Sequence, residues 1–148
     1  QPIISINFGA RQGKRIKETL KYALYTVVFF SIFWTVLSLA IPNMFVGIFM
    51  TPTKEILEIA PAIIRCYGLS FLLLPFNIFS TYYFQALLKP KASFIVSVAR
   101  GLVISGVLIY LLPIIQADFI WFTMPITEII VAVFSLICMI KFTRNLAV

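Results

Sequence analysis

FIWFTMPITEIIVAVFSLICMI, the stretch from Phe119 to Ile140, carries one ionisable residue, Glu128, in an otherwise continuous apolar run. A helix of about 20 such residues crosses the roughly 30 Å hydrocarbon core of a bilayer. Lipid offers backbone amides no water to bond, so a spanning segment is a helix or part of a closed barrel. The run does not alternate apolar and polar residues as a barrel strand does, which leaves the helix. Three further stretches read the same way, giving spans at 22–41, 66–88, 92–115 and 119–141. The fold class follows: an all-α integral membrane protein, a polytopic helix bundle.

Composition agrees. The chain is 61% hydrophobic and 11% charged, with a mean hydropathy of +1.05, far from the make-up of a soluble domain. Its formal charge of +7 does not point to nucleic acid, because the basic residues cluster at span ends. Arg11, Lys14, Arg15, Lys17 and Lys21 precede the first span, Lys89 and Lys91 follow the second, and Lys141 and Arg144 follow the fourth. The intervening ends carry Lys54 against Glu55 and Glu58, and then Asp118. By the positive-inside rule the basic ends, and with them the C-terminus, are cytoplasmic.

Cys66 and Cys138 lie in or beside apolar runs and read as small buried hydrophobes rather than a disulfide. The sequence has no histidine, which removes the commonest general base and metal ligand. No phosphate-binding glycine loop, metal-ligand cluster or carboxylate pair is visible, so an enzyme and a resident cofactor are not expected.

Residues 1–10 read as the cytoplasmic end of another span, so the chain is expected to be a fragment of a larger protein. Residues 11–21 form a basic cytoplasmic loop. Lys14 to Tyr22, with Ile16 and Leu20 four apart, either lies amphipathically at the headgroups or runs straight on into the first span. Residues 42–53, with Met44, Phe45, Ile48, Phe49 and Met50, are too short to cross and read as an outer interfacial segment.

Polar residues inside spans are costly and mark packing or function. At about 100° per residue, Tyr67, Ser70, Asn77, Thr81 and Gln85 fall in a stripe about 80° wide on one helix through 66–88. They are candidates for a substrate cavity, as are Gln1, Ser5 and Asn7 on the partial span. Pro75 is expected to kink the second span. Arg100 either snorkels to the cytoplasmic surface or gates the inner mouth as a carboxylate partner. Glu128 is a candidate proton carrier or cation partner, with a structural hydrogen bond to a neighbouring helix as the plain alternative. Gly101 and Gly106 are expected to allow close helix approach in the third span.

Several stretches carry a family resemblance. Gln1-Pro-Ile-Ile-Ser-Ile-Asn-Phe-Gly-Ala10 with Arg11, Arg15 and Lys17 resembles the eighth helix and following loop of the MATE (multidrug and toxic compound extrusion) transporters. Tyr83-Phe-Gln-Ala-Leu-Leu-Lys-Pro-Lys91, Ser97-Val-Ala-Arg100 and Trp121-Phe-Thr-Met-Pro-Ile-Thr-Glu128 resemble parts of that family's tenth to twelfth helices. The resemblance covers essentially the whole chain. It implies part of the C-terminal six-helix lobe of a twelve-helix antiporter. Such a protein expels amphiphilic cationic small molecules across the plasma membrane, or the cell inner membrane, in exchange for H+ or Na+. The N-terminal lobe of the same protein would then be the partner. Some members place a coupling aspartate on the tenth helix, whereas Tyr67 to Leu88 contains no acid. The alternative within the superfamily is a flippase for lipids or lipid-linked oligosaccharides, which calls for several cavity cations where the spans offer Arg100.

Overall fold

A computed structural model describes residues 1–49 and 51–146, with no account of the Phe49 side chain. The described residues form eight α-helices, α1 Pro2–Gly9, α2 Gly13–Ala40, α3 Pro42–Phe49, α4 Lys54–Ser70, α5 Leu74–Ala86, α6 Pro90–Val98, α7 Ile104–Ile115 and α8 Thr123–Arg144, and contain no strand. Four helical stretches are long and apolar enough to cross a membrane: Gly13–Ala40, Lys54–Ala86, Pro90–Ile115 and Ala117–Arg144.

The first of these is one uninterrupted helix, which decides the open question at its start. Nothing in Lys14 to Tyr22 breaks the helix, and Ile16 and Leu20 are buried with Tyr83, Leu87 and Met139 in a common core. The segment therefore belongs to the bundle and does not lie apart at the headgroups. α3 packs against α4 and α2, burying Val46. Residue 50, part of the expected segment 42–53, lies outside the described residues.

The second span differs from the single helix expected over 66–88. It begins at Lys54, where the Thr53 hydroxyl accepts from the Ile56 amide at 3.4 Å, and it is broken at 71–73. Phe71, Leu72 and Leu73 donate to the carbonyls three residues back, a tightened turn. Pro75 is the cause. It has no N–H for the Phe71 carbonyl and its ring crowds that carbonyl, so the chain renucleates with Pro75 in the first turn of α5. The expected mid-helix kink is a break instead, and the angular phase of Tyr67 and Ser70 does not carry through to Asn77, Thr81 and Gln85.

A π-helical turn, Ala99–Val103, joins α6 to α7, and a 3₁₀ turn, Ala117–Phe122, leads into α8. The close helix approach occurs elsewhere than expected. A Cβ on Gly101 or Gly106 would meet nothing within 4 Å, because the third span is the least buried of the four. On α4, a Cβ on Gly68 would stand 2.9 Å from Ser38 Cβ, so glycine is what lets α4 cross α2.

The core sits at one end of the bundle. Ile16 and Leu20 from the start of α2, Tyr83 and Phe84 from the end of α5 with Leu87 just after it, and Met139 from the end of α8 with Leu146 just after it pack together. Phe84 meets Phe142 edge-on at 5.5 Å, the Tyr83 hydroxyl is 2.7 Å from the Thr143 hydroxyl, and Lys89 Nζ lies 5.8 Å from the Phe142 ring. The basic ends of three spans thus share one face of the bundle. Two turns on this face close α1 and α5 with Arg11 at φ 56° and Leu88 at φ 55°, both left-handed. In each, the following amide reaches five residues back, Gln12 to the Asn7 carbonyl and Lys89 to the Phe84 carbonyl.

Candidate functional site

Three of the candidate residues meet in one cluster. Glu128 is 0% exposed on α8. Its Oε1 accepts from Arg100 Nε at 2.8 Å, and its Oε2 accepts from Asn77 Nδ2 at 2.6 Å. The same Asn77 amide donates to the Glu128 backbone carbonyl at 2.9 Å. α5 brings Asn77, the π turn brings Arg100, and α8 brings Glu128.

Arg100 therefore does not snorkel away from the bundle; it is the carboxylate partner. Its side chain is 28% exposed while that of Glu128 is 0% exposed, so the pair lies at the bundle margin with the acid inside. A buried acid is costly unless it is paired and hydrogen-bonded, and Glu128 has both kinds of partner. Asn77 is buried at 1% exposure and serves the acid. Its own Oδ1 has no partner.

The remaining candidates separate. Gln1 Nε2 donates to Gln85 Oε1 at 3.1 Å and Gln85 Nε2 donates to Ser93 Oγ at 3.0 Å, a polar chain joining α1, α5 and α6 toward the basic end. The hydroxyls of Ser5 and Ser70 and the Asn7 amide donate to carbonyls of their own helical turns, and Thr81 does the same toward Asn77 and Ile78. These four residues are locally satisfied and share no site. The expected common stripe dissolves because the turn at 71–73 resets the helical phase.

Tyr67 stands apart from the cluster, with its ring 6.3 Å from that of Trp121. It lines an open cavity of about 620 Å³ with Trp34, Phe45, Ile56, Phe71 and Pro75. Ser38 is the one hydroxyl besides Tyr67 in that wall, and it donates to the Thr35 carbonyl at 2.9 Å. Phe71, Leu74 and Pro75, at the turn between α4 and α5, form part of its wall.

Two features escaped the sequence reading. Buried hydroxyls of Ser31, Thr35, Thr123, Thr127 and Ser135 have no partner, and Thr123, Thr127 and Ser135 recur at multiples of four along the buried face of α8. That spacing was the available signal. Arg65 was hidden by placing the span start at residue 66; it lies within α4, and its Nε donates to the Leu39 carbonyl at 3.3 Å. Among the described residues no group of three or more His, Cys, Asp or Glu could hold a metal ion. Cys66 and Cys138 are free thiols.

The MatE family model matches residues 1–111. No curated protein and no solved structure matches the chain.

Proposed function

The chain belongs to the MatE family, a family of membrane transporters rather than enzymes, and from that premise we propose that it forms part of a cation-coupled multidrug efflux antiporter. In this reading amphiphilic cations leave the cell in exchange for H+ or Na+, with access alternating between the two sides. The protein sits in the plasma membrane, its basic bundle end and C-terminus in the cytoplasm, and its partner is the N-terminal lobe of the same protein.

The observation that carries the reading is the Glu128 carboxylate, wholly buried in an apolar span and answered by Arg100 at 2.8 Å. Ionisable residues at such depth are costly, and in transport proteins they mark ion pathways and moving parts. The aromatic wall of Trp34, Phe45, Tyr67 and Phe71 adds a surface suited to flat apolar cations. The flippase reading calls for cations available to a diphosphate. Within the spans Arg100 is engaged by Glu128, which supports the drug reading over that one.

The test is efflux of a fluorescent amphiphilic cation from vesicles holding the full-length protein, under an imposed proton gradient, a sodium gradient, or neither. Extrusion driven by one gradient is the expected result and identifies the coupling ion. No flux under any gradient, with the protein verified in the membrane, would overturn the efflux reading and turn attention to lipid-linked substrates.

A further inference from the structure

The third span holds a structural irregularity that its own residues do not force. Ala99–Val103 winds as a π turn, a geometry found in well under 1% of residues and often placed at functional sites. Within this span proline occurs only at Pro90, which starts α6, and at Pro113, near the end of α7. A Cβ on Gly101 would meet nothing within 4 Å, so crowding there does not spread the turn. Among the described residues, the one side-chain hydrogen bond leaving the turn runs from Arg100 to Glu128, at 2.8 Å.

A π turn holds one residue more than the α-helix would in the same path. Rewinding it rotates one flank against the other by about 100° and shifts it by about 1.5 Å. We propose that the Arg100–Glu128 pair holds this turn in its π form. Breaking the pair then lets the third span rewind as a continuous α-helix, turning Ile104–Ile115 by about 100° relative to Pro90–Val98.

Three observations support a two-state element here. The apolar window of the third span is 6% buried, against 44% for the fourth, so few contacts with the other described helices oppose a rotation of α7. Arg100 has a second place to go, because its side chain is already 28% exposed and its long stem reaches toward the surface. Glu128, in contrast, is 0% exposed and is also held by Asn77, so the guanidinium is the partner free to leave. The ionisable groups on the other elements packed against α8 are engaged elsewhere or exposed. Arg65 bonds the Leu39 carbonyl, Tyr67 meets Trp121 edge-on, and Tyr83 bonds Thr143. Lys54, Glu55, Glu58, Tyr82, Lys91, Tyr110 and Asp118 are exposed, and Cys66 is a half-buried thiol.

The experiment is a nitroxide scan of positions 104–115 in the full-length protein, reconstituted in lipid nanodiscs after replacing Cys66 and Cys138 by serine. Collision with oxygen reports which side of α7 faces lipid. The double variant Arg100→Gln/Glu128→Gln, which leaves no orphaned charge, is expected to shift the phase of that pattern by about 100°, while Glu128→Asp keeps the original phase. An unshifted phase in the double variant overturns the proposal. Acidification of the protein with Arg100 and Glu128 intact is the second arm and needs no variant to fold. A phase change following a single-proton curve supports the proposal, and a phase that holds until unfolding overturns it. The readout is conformational and needs no substrate, so it stands or falls separately from the efflux assay.

Discussion

The two ends of this bundle are built on opposite terms. At the basic end Tyr83, Phe84, Leu87, Ile16 and Met139 are each 3% exposed or less and lock α2, α5 and α8 together. At the other end, beyond the break at 71–73, α2, α3 and α4 surround an open cavity of about 620 Å³ with almost no polar wall. Between them lies the Asn77, Arg100 and Glu128 cluster. The cluster is the fulcrum between an anchored end and an open one. The difference teaches that packing density, rather than hydropathy, separates the anchoring part of a uniformly apolar chain from the part free to change.

The sharpest way to break that comparison is at the fulcrum. Arg100→Ala leaves Glu128 buried without its partner and is expected to cost about 3–5 kcal/mol, read as a lowered midpoint in detergent unfolding. The double variant Arg100→Ala/Glu128→Ala is expected to recover most of that loss. Next comes the anchored end itself. Phe84→Ala, at 0% exposure, is expected to cost about 3 kcal/mol by the same assay. Ile56→Ala, in the cavity wall, is expected to cost under about 1 kcal/mol because no tight packing is lost there. Equal losses at the two positions would dissolve the distinction between the ends.

Smaller effects sharpen the picture. Gly68→Ala forces α4 off Ser38 and is expected to destabilise by about 1–3 kcal/mol, with a matching loss of cation efflux, since the crossing of α2 and α4 shapes the cavity. The smallest effect expected is a gain. Leu88 holds a left-handed φ of 55° that glycine adopts without strain. Leu88→Gly is expected to stabilise the basic end by up to about 1 kcal/mol, seen as a slightly raised unfolding midpoint.

Much of the architecture was legible in the residues. Helical stretches long and apolar enough to span followed from runs of Leu, Ile, Val and Phe, because lipid leaves the backbone no other solution. Glu128 and Arg100 were conspicuous for the same reason: an ionisable group in such a run stands out. The polar stripe failed because it assumed one helical phase through 66–88, and Pro75 changed a kink into a break. Gly101 and Gly106 misled because small size permits close approach without supplying a neighbour, whereas Gly68 has Ser38 against it. Arg65 was lost to an apolar boundary drawn twelve residues inside the true helix start at Lys54.

By itself the sequence determined the medium, the helices and the family, since transfer of apolar runs into lipid and the need to satisfy every backbone amide depend on local composition alone. Only the tertiary structure decided which polar residues meet. Asn77, Arg100 and Glu128 come from three different spans. Their pairing depends on a proline break and a π turn that set helical phase, and no periodicity within one span encodes the phase of another.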